Sequence, residues 1–190
     1  MRYKDADKKE RIIIAAIQLI NEVGLAETSM SKIAKNAGVS AGTIYVYFEN
    51  KEDMIKKLFL TVKTDMQQKI FRGIDGSLPI EVQFKQILKN YMDYVVKNKD
   101  YFLFFEQYIN SPLIQKLCKE ETQIIAKPLI EFFERGKEQG IFKQIDTNLI
   151  FIYAFSPLMQ IAKKHFNGEF EFTEQKVDEI IQMSWDSIKA

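Results

Sequence analysis

The sequence predicts an all-α protein of about nine helices. Apolar residues recur at helical spacing in nearly every segment, whereas the period-two alternation of strands is scarce. Of the 190 residues, 46% are hydrophobic and 13% aromatic, which is typical of a globular chain. The length suits one or two small domains, and we expect three N-terminal helices followed by a larger C-terminal helical bundle.

The first helix is predicted over about 6–23 by an apolar stripe at i, i+3, i+4 and i+7 spacing, and Gly24 ends it. The stripe consists of Ile13, Ala16, Ile17 and Ile20. A second helix begins at Thr28 or Ser29, residues that favour the N-cap position, and Gly38 breaks it. A third helix is expected over about 40–47.

A fourth helix is predicted over about 51–72, because Asn50 and Asp53 form a variant of the capping box. Asp75 to Pro79 are then the best candidate for a domain boundary or a loop. Five more helices are expected beyond it, over about 79–97, 100–110, 112–139, 146–166 and 173–188. Pro128 lies inside the third of these and predicts a kink or a break there.

The second and third helices have the layout of a helix-turn-helix. Gly38 permits a positive φ in a tight turn, and Ala34 and Ala37 permit the two helices to approach closely. The third helix opens on small residues, Ser40 to Thr43, which suits an end that enters the major groove. Ile44 and Phe48, four residues apart, are expected to face inward.

Charge adds little to this interpretation, because 27 Lys and Arg residues stand against 26 Asp and Glu residues. One cysteine and one histidine exclude an internal disulfide and disfavour a Cys/His metal site, so neither a metal nor a cofactor is expected. The longest apolar stretch, 149–162, is too short to span a bilayer, and the chain opens on charged residues instead of a signal peptide. We expect a soluble cytoplasmic protein with no membrane partner.

The segment from Ser29 to Asp53, SMSKIAKNAGVSAGTIYVYFENKED, resembles the signature of the TetR (tetracycline-repressor) family. Its hallmark run, AGVSxGTIYxYFxNKED, is present without a gap, and the resemblance covers about 8–60. It implies a DNA-binding transcriptional regulator that is not an enzyme. The implied domains are 1–50 for DNA binding, with the helix-turn-helix at about 29–48, a connecting helix over 51–75, and an effector-binding and dimerisation domain over 76–190.

The resemblance also implies which residues meet double-stranded DNA. Base contacts are expected from Ser31 and from the start of the third helix, and phosphate contacts from Tyr45, Tyr47 and Lys51. Ser29 is expected to cap the second helix and is a further candidate for a phosphate contact. The residues are Ser29, Ser31, Ser40, Ala41, Gly42, Thr43, Tyr45, Tyr47 and Lys51. Met30 departs from relatives that carry a threonine, and we expect it to pack inward. Because Ala41 and Gly42 lack hydrogen-bonding side chains, base readout is expected to rest on Thr43, Ser31 and DNA shape. A basic N-terminal tail (Lys4, Lys8, Lys9 and Arg11) is a further candidate for phosphate contacts.

The C-terminal domain is rich in aromatic residues, either as core or as the lining of an effector pocket. The resemblance implies such a pocket, and an apolar or aromatic small molecule would suit it. The expected lining is Tyr91, Phe102, Phe105, Phe132, Phe155 and Met159. The last two helices are expected to form a four-helix homodimer interface that presents paired helices to a palindromic operator. The expected interface residues are Phe151, Leu158, Ile161, Val177, Ile181, Trp185 and Ile188, with Trp185 as the anchor.

Three function classes remain at this point. The first is a repressor released from its operator by an effector, and the second is a DNA-binding dimer without any effector. The third, a small helical enzyme or ligand carrier, lacks support because Glu169 and Glu171 have no nucleophile, metal set or phosphate loop beside them. Cys118 is expected to be a buried small hydrophobe and His165 a half-exposed helix residue.

Overall fold

The structure is a computed structural model that describes residues 2–190, with side chains from residue 7 onward. The side chain of Lys4, one of the four basic residues expected near the N-terminus, lies outside the described residues. Over the described range the chain forms α1 (Arg2–Glu27), α2 (Met30–Ala37), α3 (Ala41–Tyr47), α4 (Lys51–Ile70), α5 (Ile80–Lys97), α6 (Lys99–Tyr108), α7 (Pro112–Glu138), α8 (Thr147–Phe166) and α9 (Glu174–Ile188). The predicted all-α fold is confirmed. The described residues contain no strand, and one isolated bridge joins Phe142 to Lys189.

The helices divide into two compact units, neither of which is continuous in sequence. The first unit contains the residues up to Lys63 together with Asp100–Lys119. The second unit contains Thr64–Lys99 together with Glu120–Ala190. Helices α4 and α7 each begin in the first unit and end in the second, and α6 belongs almost wholly to the first. None of the helices in the described range has the length and apolarity needed to cross a membrane.

The core of the first unit is aliphatic near α2 and α3 and aromatic near α6. Ile17 of α1, Ile33 of α2 and Ile44 of α3 are fully buried, as the apolar spacing predicted. Helix α6 joins this core through Phe105, whose ring stacks on that of Phe59 in α4 at 5.4 Å between centroids. The backbone carbonyl of Asp100 also accepts a hydrogen bond from Asn21 Nδ2 at 2.8 Å. Residues 100–119 therefore complete the unit that holds the helix-turn-helix.

Local capping sets the helix ends in this unit. At Gly24 (φ 77°) helix α1 breaks before a last turn. Asn50 Oδ1 accepts a hydrogen bond from the Asp53 N–H at 2.9 Å, and the Asp53 carboxylate accepts one from the Glu49 N–H at 2.9 Å. This pair is the predicted variant of the capping box, with its second bond one residue earlier than in the usual form.

The second unit is organised around an aromatic cluster centred on Phe142. The fully buried Phe142 ring lies 5.7 to 6.1 Å, between centroids, from four neighbouring rings. The four rings are those of Phe84, Phe132, Phe133 and Trp185. Gly136 lies directly against Phe142, and a Cβ at this glycine would overlap the ring. The bare backbone at Gly136 is therefore required by the packing of the core.

The predicted break of the helix at Pro128 is wrong. The non-helical residue inside α7 is Cys118 (φ −151°, ψ 36°), ten residues earlier, and Pro128 remains within the helix. Cys118 is buried, as expected, and the break lies immediately before the point where α7 leaves the first unit. Pro128 has no N–H to donate to the Ile124 carbonyl, and Ile124 itself is strongly exposed, on a side of the helix that water can reach.

Four of the residues expected at a dimer interface need correction, because the chain buries them itself. Trp185 is 6% exposed, and its ring lies 5.5 Å from Phe84 and 5.8 Å from Phe142. Leu158, Ile181 and Ile188 are likewise buried within the second unit. Side chains already enclosed in their own core have little surface to offer a partner.

The exposed apolar surface of α8 lies on the opposite face of the helix. Leu149, Ile152 and Tyr153 are exposed there, and Met183 of the adjacent α9 is 72% exposed. Phe151 is also exposed, while Ile161 and Val177 are partly exposed. One apolar face of α8 is therefore buried in the core of the second unit, while apolar residues on its other face are left exposed.

Candidate nucleic-acid interface

Helix α2 and the turn after it have the geometry that their sequence predicts. Ser29 Oγ accepts a hydrogen bond from the Lys32 N–H at 3.2 Å and so caps α2. Met30 is buried, which confirms its expected inward orientation. At the other end Gly38 is left-handed (φ 66°), and the next N–H, that of Val39, donates to the Ala34 carbonyl at 3.0 Å. Any other residue at Gly38 would strain this turn.

Helix α3 begins at a second serine cap. Ser40 Oγ accepts from the Thr43 N–H at 3.2 Å and lies 2.8 Å from Thr43 Oγ1. The two hydroxyls share one hydrogen bond, which fixes the position of the Thr43 side chain. Because the Thr43 hydroxyl already makes this hydrogen bond, only its remaining donor or acceptor positions are available to bind a base edge.

Side-chain burial shows which face of α3 points outward. Ile44 is fully buried and Phe48 is buried one turn later, so these two residues anchor the helix as predicted. Gly42 and Val46 lie four residues apart on the opposite face, and Val46 is 79% exposed. Sequence reasoning missed Val46, although its position one turn after Gly42 could have identified it. An exposed valine here suits apolar contact with a thymine methyl group.

Gly42 has no role inside the protein that would require a glycine. Its φ is not in the positive region, and an added Cβ would meet only Ser40 Oγ, at an ordinary van der Waals distance of 4.0 Å. Glycine within a helix costs about 0.5–1 kcal/mol relative to alanine. A bare position at the centre of an exposed face, without a reason in the fold, indicates close approach by another molecule.

The residues expected to contact phosphate lie around this face. Tyr45 is 58% exposed, whereas Tyr47 is half-buried, and its carbonyl accepts a hydrogen bond from Lys57 Nζ at 3.0 Å. Lys51 Nζ donates to the Ala26 carbonyl at 3.0 Å, which ties the start of α4 to the end of α1. Ser31 and Ala41, which are expected to contact bases, are also exposed.

The pKa of Asp53 is lowered from its usual 3.8. Burial opposes this shift, but hydrogen bonds from Lys57 and from the Glu49 N–H outweigh it. Lys57 Nζ lies 2.7 Å from the Asp53 carboxylate. Asp53 therefore stays ionised and holds the junction between α3 and α4.

The six residues expected to line an effector pocket are divided between the units. Phe102 and Phe105 are buried in the first unit. In the second unit the Tyr91 ring meets Phe155 edge-on at 5.2 Å, and Phe132 belongs to the Phe142 cluster. Met159 is partly exposed. The second unit also has a surface groove of about 250 Å³, lined by Lys89, Met92, Asp93, Val96, Phe172, Glu174, Val177 and Asp178. None of the six pocket residues lines it.

Comparison with known proteins agrees with this geometry. A family model described as bacterial regulatory proteins of the tetR family matches residues 12–58. A second model, described as a tetracyclin repressor-like C-terminal domain, matches residues 79–189.

An HTH-type transcriptional regulator of Haemophilus influenzae is 25% identical over 190 residues and covers the whole of both chains. The fatty acid metabolism regulator protein of Bacillus subtilis is 54% identical over 52 residues, which are 27% of each chain.

Among solved structures, a TetR family transcription regulator from Marinobacter aquaeolei VT8 superposes with a TM-score of 0.92 at 22% identity. The match covers 100% of this chain and 99% of that one. These relatives and neighbours are transcriptional regulators and not enzymes. The two family models together reach from the helix-turn-helix to the last helix, and the chain belongs to the TetR family of helix-turn-helix transcriptional regulators.

Proposed function

We propose that this protein is a homodimeric repressor that reads a palindromic operator through α3 and leaves it when a small apolar or aromatic effector binds. The observation that carries the DNA-binding part is the outward face of α3. Gly42 is bare there without an internal reason, and Val46 and Tyr45 project beside it. A helix of this shape fits the major groove.

The contacts divide into two classes. Thr43, Ser31 and Val46 are proposed to meet base edges, while Tyr45, Tyr47 and Lys51 grip phosphates and set the register. On binding DNA, Lys51 would either exchange its hydrogen bond to the Ala26 carbonyl for a phosphate, or keep that bond and so hold the end of α1 against the DNA backbone. With so few base-reading side chains, part of the specificity comes from DNA shape.

The proposed roles are tested after the operator has been selected from genomic fragments with the purified protein. Tyr45→Ala should weaken binding to operator and to unrelated DNA alike, because phosphates carry no sequence information. Thr43→Ala should instead reduce the ratio of the affinity for operator DNA to the affinity for unrelated DNA. Equal loss of selectivity in both variants would contradict this assignment.

The dimer is proposed to form through the exposed face of α8 and the adjacent α9. Leu149, Ile152 and Tyr153 lie three and four residues apart and form an exposed apolar strip on α8, and Met183 is exposed on α9. A dimer that reads a palindrome in successive major grooves needs its two α3 helices about 34 Å apart, one turn of B-DNA.

Light scattering of the full chain at micromolar concentration tests the dimer. The wild-type protein should have the mass of two chains, and Ile152→Glu should have the mass of one. Val82→Glu is a matched control, because Val82 on α5 is exposed to a similar extent, 46% against 49% for Ile152. A monomeric wild-type protein would refute the dimer.

Effector release is the remaining part of the proposal, with α4 as the lever because it runs from the first unit into the second. A full switch needs about 5.5 kcal/mol of differential affinity between the two states. The competing function, a DNA-binding dimer without an effector, gains support from the burial of Phe132 and Phe155 in the core. A thermal-shift screen decides between them. Fatty acyl compounds belong in that screen, because one relative is by name a regulator of fatty acid metabolism.

A further inference from the structure

Lys57 of α4 holds the C-terminal end of α3, within the first unit. Its Nζ donates a hydrogen bond to the Tyr47 carbonyl at 3.0 Å. Tyr47 is the last residue of α3, so its carbonyl is one of the four that a helix leaves without a donor of its own. A positive charge at this end is also stabilised by the helix dipole. Lys57 therefore joins the end of the DNA-reading helix to the helix that follows it.

The same ammonium group is held in place by Asp53, one turn earlier on α4. Lys57 Nζ lies 2.7 Å from Asp53 Oδ2, and that oxygen also accepts a hydrogen bond from the Glu49 N–H at 2.9 Å. The contacts run from the Tyr47 carbonyl through Lys57 and Asp53 to the Glu49 N–H, so they close a ring around the turn between α3 and α4. Two charged groups take part in this ring, which makes its hydrogen bonds stronger than those between neutral groups.

We propose that Lys57 is a positioning residue for operator recognition, which fixes the angle of α3 relative to α4 without contacting DNA. This inference rests on the proposed reading of the operator by α3. Base edges can be read only from a narrow range of helix placements, because hydrogen bonds need close distances and nearly linear geometry. Molecules in which α3 leaves this placement cannot read the operator, so the apparent Kd rises as the competent fraction falls.

The contacts of Lys57 favour positioning over a phosphate contact. An ammonium group has three donors, and Tyr47 and Asp53 already accept from Lys57. The pKa of Asp53 is lowered, so its carboxylate is ionised and offsets the positive charge of Lys57. A phosphate that approached Lys57 would also approach this carboxylate, and like charges repel.

The test compares variants of the full-length protein on the selected operator and on unrelated DNA of equal length. Fluorescence anisotropy at several salt concentrations measures Kd, and thermal denaturation shows whether each variant is folded. Lys57→Met keeps the aliphatic stem without the charge, Lys57→Arg restores a cation, and Asp53→Asn weakens the hold on Lys57. Lys69→Met is the matched control, because Lys69 is an exposed lysine near the end of the same helix.

Lys57→Met should bind the operator about threefold or more weakly, while its affinity for unrelated DNA should change less than about twofold. The slope of log K against log salt should equal that of the wild-type protein, whereas loss of a phosphate contact would reduce it by about one. Lys57→Arg should restore most of the operator affinity, and Lys69→Met should change it less than about twofold.

Asp53→Asn gives a test by sign. Removal of a negative charge would by itself strengthen binding to DNA, but loss of the ring should weaken operator binding. This variant also carries the test if Lys57→Met does not fold, although the Lys57 side chain is 48% exposed and we expect a folded protein.

A reduced salt slope in Lys57→Met, or an equal loss of affinity for operator and unrelated DNA, would reveal a phosphate contact and overturn the positioning role. Unchanged operator binding by Lys57→Met, or stronger operator binding by Asp53→Asn, would overturn it as well. A wild-type protein that binds the selected operator no more tightly than unrelated DNA would instead count against operator reading by α3 itself.

Discussion

Replacing Gly42 by alanine separates the stability of α3 from its function. Alanine is favoured over glycine in a helix by about 0.5–1 kcal/mol, and the new Cβ would lie 4.0 Å from Ser40 Oγ, so no clash offsets the gain. Gly42→Ala should therefore raise the free energy of unfolding by about 0.5–1 kcal/mol. For a chain of this length that corresponds to about 1–4 °C in Tm.

The same methyl group should weaken DNA binding, because it projects from the outward face of α3 beside Val46. If the DNA approaches the bare backbone at Gly42, the variant should lose at least about 1.4 kcal/mol of binding free energy, a tenfold change in Kd. Fluorescence anisotropy with the selected operator at fixed salt measures Kd, and denaturant titration measures stability. Gly76→Ala is the control, because Gly76 lies in an exposed loop with open space around its Cα.

Opposite signs are the decisive result for Gly42→Ala: a more stable protein that binds DNA less well. A more stable variant with unchanged Kd would show that DNA does not come close to Gly42. A less stable variant would refute the claim that the fold has no need of glycine there.

Three further predictions concern the fold that supports this interface. Gly136→Ala should destabilise the protein by about 1–3 kcal/mol, because the new Cβ overlaps the Phe142 ring, and thermal denaturation measures the loss. Ser40→Ala should cost about 0.5–2 kcal/mol by removing the α3 cap, and hydrogen exchange of the Thr43 N–H should accelerate. Because the pKa of Asp53 is lowered in the folded protein, its stabilising contribution is complete above 3.8 and is lost as the pH falls through the lowered value; a titration followed by circular dichroism should show a smaller loss in Asp53→Asn. An unchanged Tm, exchange rate or acid profile would contradict the respective assignment.

The helix-turn-helix could be predicted closely because local chemistry determines its ends. Ser29 and Ser40 cap the two helices with side-chain oxygens, and Gly38 takes the left-handed conformation that few other residues tolerate. The hydrogen bonds that form these helix ends join residues within about five positions of each other, so the local sequence is enough to predict them. The spacing of Ile44 and Phe48 likewise fixed the inward face.

Burial in the C-terminal half could not be predicted in the same way. An apolar stripe shows that Trp185 must be covered, but not whether its own chain or a partner covers it. The structure shows that Phe84 and Phe142, distant in sequence, enclose it. The break in α7 could not be predicted either. Proline disfavours a helix locally, which pointed to Pro128, whereas the break lies at Cys118, next to the point where the chain passes from one unit to the other.

The interleaving of the two units has a consequence for protein engineering. The chain crosses between them three times, after Lys63, after Lys99 and after Lys119. A fragment that ended after Lys63 would lose Phe105 and the carbonyl of Asp100, and so would expose Phe59 and leave Asn21 Nδ2 without its acceptor. A chimeric protein that takes its DNA-binding unit from this chain must therefore include residues 100–119 as a second inserted segment. Without that segment the core of the unit would be incomplete.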